Sequence, residues 1–258
     1  MKIAVAGKGG VGKTTIAAWL GDYLARNGHD VYMVDADTAL SLGQASGLER
    51  EQLPIPLALR NDLVAERIGS GFMRLNPDVG DLPGDLAVEL PVNLACTGCG
   101  GAGRKRLLVM GTVIGAGGGC ACGANSLLKA LLAHLVLEAR EWVIVDLEAG
   151  VEHLGRGTVA AVNGLVVVSE PSRRGLDTAA EIARLARDMG LTRQALVLNR
   201  HQGQAELPEI AGLPPLAASI PALPSLMARQ LTSGSVLELE ERSSLIDPLC
   251  RDILGALK

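Results

Sequence analysis

Aromatic residues are almost missing from this chain, which has two Trp, two Tyr and one Phe among 258 residues. That scarcity removes the stacking platforms by which single-stranded nucleic acids are gripped. It also leaves the core to Ala, Val, Leu and Ile. Basic blocks are equally scarce: Arg104-Lys105-Arg106 is too short to follow a phosphate backbone. The net charge is −4, from 24 Lys plus Arg against 28 Asp plus Glu. No apolar stretch reaches the roughly 20 residues that a membrane-spanning helix needs. The opening Met1 to Ala6 runs straight into a glycine loop and reads as a strand, not as a secretory leader. No nucleic-acid or membrane partner is expected, and the expected location is cytoplasmic. There, the five cysteines (Cys96, Cys99, Cys120, Cys122, Cys250) are not expected to form structural disulfides.

Hydrophobic residues make up 48% of the chain and charged residues 20%, the balance of a globular core under a solvated shell. A chain this long buries roughly three-quarters of its unfolded surface without metal or disulfide support. An Ala/Val/Leu-rich core favours buried parallel strands covered by helices. Ile3 to Ala6 reads as a first strand ending at Gly7. Thr14 to Arg26 turns helical, with Ile16, Leu20, Tyr23 and Leu24 on one face and Gly28 as the stop. Asp30 to Val34 is a second strand that ends in Asp35-Ala36-Asp37. Strand, loop, helix, strand is a βαβ unit, which implies a right-handed crossover between parallel strands.

From Gln52 to Arg106 the pattern is rich in Pro, Gly and Asp, with weak strand candidates at Leu86 to Leu90 and Leu107 to Met110. Leu127, Leu128, Leu131, Leu132 and Leu135 then mark one helix face, after a cap at Asn125 or Ser126. Strands at Trp142 to Val145, Leu165 to Ser169 and Ala195 to Leu198 alternate with a helix over Thr178 to Met189. A last helix is expected near Leu245 to Leu257. The predicted fold is α/β, a doubly wound, mostly parallel sheet with helices on both faces. It forms one domain over residues 1–258, with a loop-rich insert at about 50–122.

Gly7-Lys8-Gly9-Gly10-Val11-Gly12-Lys13-Thr14 fits G-x-x-x-x-G-K-[ST] between a strand and a helix. Glycines let successive N–H groups turn inward onto phosphate oxygens, and the helix N-terminus adds its positive dipole end. Lys13 would reach the β- and γ-phosphates of ATP, and the Thr14 hydroxyl would ligate Mg²⁺. Gly9, Gly10, Val11, Gly12 and Thr15 complete the nucleotide cradle. Lys8 sits too early in the loop to fold back easily onto its own nucleotide, but it can reach across a two-fold axis. Trp142-Val143-Ile144-Val145-Asp146 is an apolar strand ending in a carboxylate, the form of a Mg²⁺-shell aspartate. Asp37 lies at the carboxyl end of the second strand, where open α/β sheets place ligands. Asp35 either holds water in the metal shell or caps a turn. Asn199, with Arg200, follows a strand and presents an amide suited to an adenine edge.

The loop with its second lysine resembles the deviant Walker A class, the family of ParA, MinD, the nitrogenase iron protein and related dimeric ATPases. The resemblance implies a homodimer in which Lys8 acts in trans, and an Asp37 that orients or deprotonates the attacking water. It also implies an asparagine at the adenine and a base-covering loop after Ile220-Pro221. Thr38-Ala39-Leu40-Ser41 departs from the family at the point where relatives often carry a proline followed by Asn or Asp.

Gly117-Gly118-Gly119-Cys120-Ala121-Cys122 precedes the helix that starts near Ser126. Thiolates near a helix N-terminus have lowered pKa values and ligate metal readily. In extended backbone both sulfurs face one side. Two thiolates are too few for a closed tetrahedral site, and a two-fold axis would supply two more. Buried cysteines or a redox pair are the plainer alternatives. Cys96-Thr97-Gly98-Cys99 could instead join Cys120 and Cys122 in a four-thiolate site within one chain.

Val109-Met110-Gly111, the glycine run, Cys120-Ala121-Cys122 and Asn125 to Leu132 together resemble the CooC-type accessory ATPases. Asp146-Leu147-Glu148-Ala149-Gly150-Val151-Glu152-His153 resembles them too. That family inserts nickel into carbon monoxide dehydrogenase. The resemblance implies an ATPase with ATP/ADP and Mg²⁺ as cofactors, a homodimer, and carbon monoxide dehydrogenase as client. Ni²⁺ or Zn²⁺ would be held by Cys120 and Cys122 of both chains. The competing functions are a ParA/MinD-type positioning ATPase and an electron carrier with an interfacial iron–sulfur cluster.

Overall fold

The computed structural model describes residues 1–68, 78–93, 101–111, 127, 130, 131, 141–148, 162–203 and 207–258. Alternation of short apolar residues builds the centre of the molecule. β1 (Lys2–Gly7), β2 (Asp30–Ala36), β5 (Glu141–Leu147), β6 (Gly164–Ser169) and β7 (Gln194–Asn199) are buried along most of their length. With β3 (Val88–Glu89), β4 (Lys105–Val109) and β8 (Leu216–Ile220), they form one sheet in the order β3-β4-β2-β5-β1-β6-β7-β8. Every neighbouring pair is parallel except β3 with β4. The doubly wound, mostly parallel expectation is met, and the winding changes side at β1, between its neighbours β5 and β6.

Side chains leave a strand alternately to its two faces, and the core divides accordingly. Ile3 and Val5 pack with α1 (Lys13–Arg26) and the C-terminal helix Ile246–Ala256. Ala4 and Ala6 pack on the other face with Leu176, Ala179 and Ala183 of the helix Arg173–Asp188. Helices thus cover both faces, as the absence of alternating polar residues in these strands requires.

Several boundaries differ from the sequence pattern. The helix Arg173–Asp188 begins earlier than expected because Ser172 caps it, accepting from the Gly175 amide at 3.1 Å. Of the stretch Leu86 to Leu90, only Val88–Glu89 is a strand, after a short helix Leu82–Leu86 with Pro83 in its first turn. β8 and the helix Pro224–Gln230 were not expected. Gly28 ends α1 at φ 82, the left-handed conformation its position called for. Leu127 and Leu131 are helical and buried. Cys96, Cys99, Cys120, Cys122, Asn125, Ser126, Glu152 and His153 lie outside the described residues. No helix among the described residues is long and apolar enough to cross a membrane.

One polar cluster sits inside this apolar frame. Lys105, at the start of β4, has no exposed surface and donates to Asp22 of α1 at 3.1 Å. The same carboxylate accepts from Arg26 at 2.9 Å and from the Asn93 amide at 3.2 Å, and Arg26 continues to Asp247 at 2.5 Å. Burial pulls the Lys105 ammonium below its ordinary range even with Asp22 beside it. Asp22→Ala, which leaves that ammonium buried without its counter-charge, should cost about 3 kcal/mol in urea unfolding. Adding Lys105→Met should recover most of the loss. Equal stability of the single and double variants would mean the cluster is not coupled.

Candidate nucleotide-binding site

The carboxyl ends of β1, β2, β5 and β7 converge on a cleft of about 810 Å³. Its floor is the glycine loop, and two contacts explain why glycine is needed there. A Cβ on Gly7 would lie 2.2 Å from the Val168 carbonyl of β6. One on Gly12, at φ 99, would lie 2.4 Å from the Asn199 amide nitrogen. Gly12 is also the residue that caps α1, so the loop turns directly into the helix and points its free N–H groups at the cleft.

Lys13 is buried, and its Nζ lies 3.4 Å from the Lys8 carbonyl oxygen, so the lysine is folded over the loop. Lys8 itself is exposed, and its ammonium meets no carboxylate among the described residues. The two lysines therefore differ in direction: Lys13 serves the cleft and Lys8 faces outward. Gly9, Gly10, Thr14 and Thr15 line the cleft with Lys13. Val11 is buried, and its carbonyl accepts from Asn199 Nδ2 at 2.7 Å. Asn199 Oδ1 in turn accepts from the Arg200 amide at 2.9 Å. The amide expected to read a nucleobase thus also braces the loop. Arg200 adopts φ 59 and pairs with Glu170 at 2.6 Å on the rim.

The acidic side is set by strand register. Asp35 of β2 pairs with Asp146 of β5, and both are fully buried. Asp35 accepts from the Asp37 amide at 3.2 Å and the Leu42 amide at 2.9 Å. These bonds place it as the anchor of the loop that follows β2, which favours the turn-capping alternative. Burial nevertheless raises the Asp35 carboxyl to about 6, against the pull of those two amides. Asp146 Oδ2 accepts from the Thr14 hydroxyl at 2.5 Å. Its pKa is raised to about 7, mainly by burial and further by Asp35 and Asp37, while Thr14 and Lys13 pull it down. Asp146 Oδ1 is buried with no hydrogen-bond partner. A hard divalent cation accepts carboxylate and hydroxyl oxygens together. The bare Oδ1 beside Thr14 therefore fits Mg²⁺ by its chemistry.

Asp37 lies on the cleft wall, with Oδ1 accepting from the Ala39 amide at 2.9 Å. Oδ2 has no partner among the described residues. Two further residues join the site that the sequence left without a role: the Thr38 hydroxyl donates to Glu148 at 2.9 Å across the cleft. The available signal was their position, one residue after Asp37 and two after Asp146 at the ends of neighbouring strands. On the opposite side Ile220, Pro221, Leu223 and Leu226 form an apolar shelf, with Trp19 beneath. Ile220-Pro221 therefore does lead into the cleft wall. Among the described residues, no group of three or more His, Cys, Asp or Glu forms a metal cluster.

Comparison with known proteins follows the same lines. The model of the CobQ/CobB/MinD/ParA nucleotide binding domain matches residues 2–229. The carbon monoxide dehydrogenase accessory protein CooC of Rhodospirillum rubrum is 38% identical, covering 100% of this chain and 94% of that protein. An uncharacterized ATP-binding protein of Methanocaldococcus jannaschii is 39% identical over 78% of this chain and 75% of its own. Among solved structures, MinD of Aquifex aeolicus in its complex with MinC superposes with a TM-score of 0.66 at 20% identity, over 98% and 95% of the two chains. MinD of Pyrococcus horikoshii with Mg-ADP gives 0.65 at 19% identity, over 100% and 98%. These superpositions speak for the fold, whereas the sequence matches carry the family. The chain is a P-loop ATPase of the CobQ/CobB/MinD/ParA nucleotide-binding family and belongs, within it, to the CooC-type accessory ATPases.

Proposed function

We propose that this ATPase is a cytoplasmic metallochaperone, acting as a single-domain homodimer that uses ATP to deliver nickel to carbon monoxide dehydrogenase. The observation that carries this lies at Asp35. Its side chain anchors the loop bearing Asp37, while its carbonyl accepts from the Met110 amide at 2.8 Å. Met110 and Gly111 are where the chain leaves β4 toward Cys120 and Cys122. The loop bearing Asp37 and the exit from β4 are thus held by one residue, a route by which ATP turnover would reach the segment that follows in sequence. The full-length likeness to CooC supports nickel as cargo and the client enzyme.

The chain's own groups divide the work. Backbone N–H groups of Gly9, Gly10, Val11 and Gly12 hold phosphate oxygens, and Lys13 adds its charge to the transferring phosphoryl group. Thr14, Asp37 and Asp146 would hold Mg²⁺ or its water shell, and the ion would supply charge neutralisation at the phosphates. Asp37 orients the attacking water, using the Oδ2 that its own loop leaves free. Asn199 and Arg200 border the base. Lys8, pointing away from its own loop, stabilises the phosphates of the partner chain and makes hydrolysis depend on dimer closure. Cys120 and Cys122 of both chains hold one Ni²⁺, or Zn²⁺ in its place, and closure alters their spacing.

Metal titration with mass determination tests the cargo site directly. One Ni²⁺ or Zn²⁺ per two chains is expected, lost in Cys120→Ala/Cys122→Ala. One metal per chain that needs Cys96 and Cys99 would overturn the bridging site.

Lys8→Ala should lower kcat about a hundredfold or more, as removal of a charge supplied in trans does. Nucleotide affinity, read from the fluorescence of Trp19 on the cleft floor, should change little. Wild-type turnover in that variant would remove the trans role.

The raised carboxyls also predict a pH effect in protein free of nucleotide and metal. Asp35 at about 6 and Asp146 at about 7 lie above the ordinary 3.8. The folded state therefore keeps protons that the unfolded chain has released. Their contribution to stability is complete at low pH and is lost as pH rises toward 7. Asp146→Asn cannot lose it, so its Tm should gain on wild type between about pH 5 and pH 8. A difference independent of pH would contradict the assignment.

A further inference from the structure

β2 and β5 stop pairing at Ala36↔Leu147. The next residues, Asp37 and Glu148, are no longer joined through their backbones, yet the two chains stay together for one more step. The Thr38 hydroxyl donates to Glu148 Oε1 at 2.9 Å and lies 3.4 Å from Asp37 Oδ1. A side-chain bond thus continues the ladder past its end, across the mouth of the phosphate cleft. It fastens the β2 loop to the strand that carries Asp146.

The loop needs such a fastening. Leu40 is held at φ 48, a conformation that an unbranched-β residue other than glycine rarely adopts. Asp37, Thr38 and Ala39 are all solvent-accessible, and the apolar hold of the loop is Leu40 alone, half-buried against the core. Their inward tie is Asp35, which reaches only the Asp37 and Leu42 amides at the two ends of the loop. Between those ends, Leu40 packs on the core and the Thr38 hydroxyl supplies the hydrogen bond to another strand. Asp37 Oδ1 is taken by the Ala39 amide and lies against the Thr38 hydroxyl, so the direction of Oδ2 follows from where Thr38 is pinned.

We propose that Glu148 is a positioning residue that, through the Thr38 hydroxyl, fixes the loop Asp37–Ser41 and with it the free oxygen of Asp37. Glu148 does not act on the nucleotide itself; it keeps two carboxylates from different strands, Asp37 and Asp146, in one arrangement. This rests on the assignment of the attacking water to Asp37.

The test is a set of variants of the full chain. Glu148→Ala and Thr38→Val each remove the bond and should lower kcat about tenfold, the effect of one lost positioning hydrogen bond. ATP affinity, read from Trp19 fluorescence, should stay within about threefold. The double variant should fall no further than either single one, because both break the same contact. Glu148→Gln, which keeps an acceptor oxygen, and Thr38→Ser, which keeps the hydroxyl, should recover most of the loss. Without nucleotide or metal, amide exchange at Ala39 followed by NMR should quicken in Glu148→Ala and in Thr38→Val, since that amide reports the placement of Asp37.

Additive losses, a Glu148→Gln as slow as Glu148→Ala, or unchanged exchange at Ala39 would overturn the proposal. Asp37→Asn separates this failure from that of the underlying assignment. If Asp37→Asn turns over at the wild-type rate, the role of Asp37 falls. If it is inactive while Glu148→Ala is unimpaired, only the positioning role of Glu148 falls.

Discussion

Asp35 and Asp146 lie side by side on the β2–β5 ladder with no exposed surface. Two carboxylates so placed would both be charged in water, but burial raises both pKa values. Asp37 adds to the rise at Asp35, and Asp35 and Asp37 add to it at Asp146. Such an arrangement persists only where other groups compensate it. Asp35 is compensated internally, by two backbone amides of the loop it organises. Asp146 is only half compensated, by the Thr14 hydroxyl, and its second oxygen is left bare. The imbalance is itself informative. Asp35, with both oxygens satisfied, acts as a structural anchor, whereas the bare oxygen of Asp146 beside Thr14 has the chemistry of a divalent-cation ligand. The parallel sheet creates the pair, because it ends both strands at the same level.

The opposite wall obeys a different constraint. Close approach of backbone to phosphate leaves no space for side chains, so the glycine loop cannot be stiffened by packing of its own. Stiffness is imported. Gly7 is wedged against the Val168 carbonyl, and the Asn199 amide both fills the space beside Gly12 and bonds the Val11 carbonyl. Asn199 stands at the end of β7, two strands away from β1 in the sheet. The loop is therefore held from a remote strand, by one side chain that bonds the Val11 carbonyl and closes the space beside Gly12.

How much of this is legible in sequence follows the range of the interactions. The glycine loop, the buried strands and their terminal aspartates are local patterns, and residues 3–6, 30–37 and 142–146 fall where periodicity places them. Glycine at 28 marks the helix end because φ there is a property of one residue. Contacts between distant segments leave no such trace. Thr38 and Glu148 are separated by 110 positions, Val11 and Asn199 by 188, and nothing near either residue announces the other. In sequence Asn199 offers only the chemistry of a nucleobase partner, and its bracing bond emerges once β7 lies beside the loop. β8 escaped because Leu-Ala-Ala-Ser-Ile has little β-branched character and a half-exposed edge position. The helix Pro224–Gln230 did carry a signal, a proline at its first position, in a segment otherwise weak in periodicity.

The division between centre and edge also bears on how a family fold acquires a particular task. β1, β5 and β6 are buried, nearly all apolar, and flanked on both sides, so they tolerate little change. The elements that leave β2 and β4 lie toward the other end of the sheet, where β3 is a two-residue strand and the connections are long. Asp35 is the residue that belongs to both regions. Its side chain anchors the loop at the rim of the phosphate cleft, and its carbonyl holds the exit from β4 at Met110 and Gly111. The loop after β2 and that exit both attach to this residue, one through its carboxylate and the other through its carbonyl. The parallel register of β2 with β4 and β5 thus ties the exit from β4 to the strand ends that converge on the nucleotide cleft.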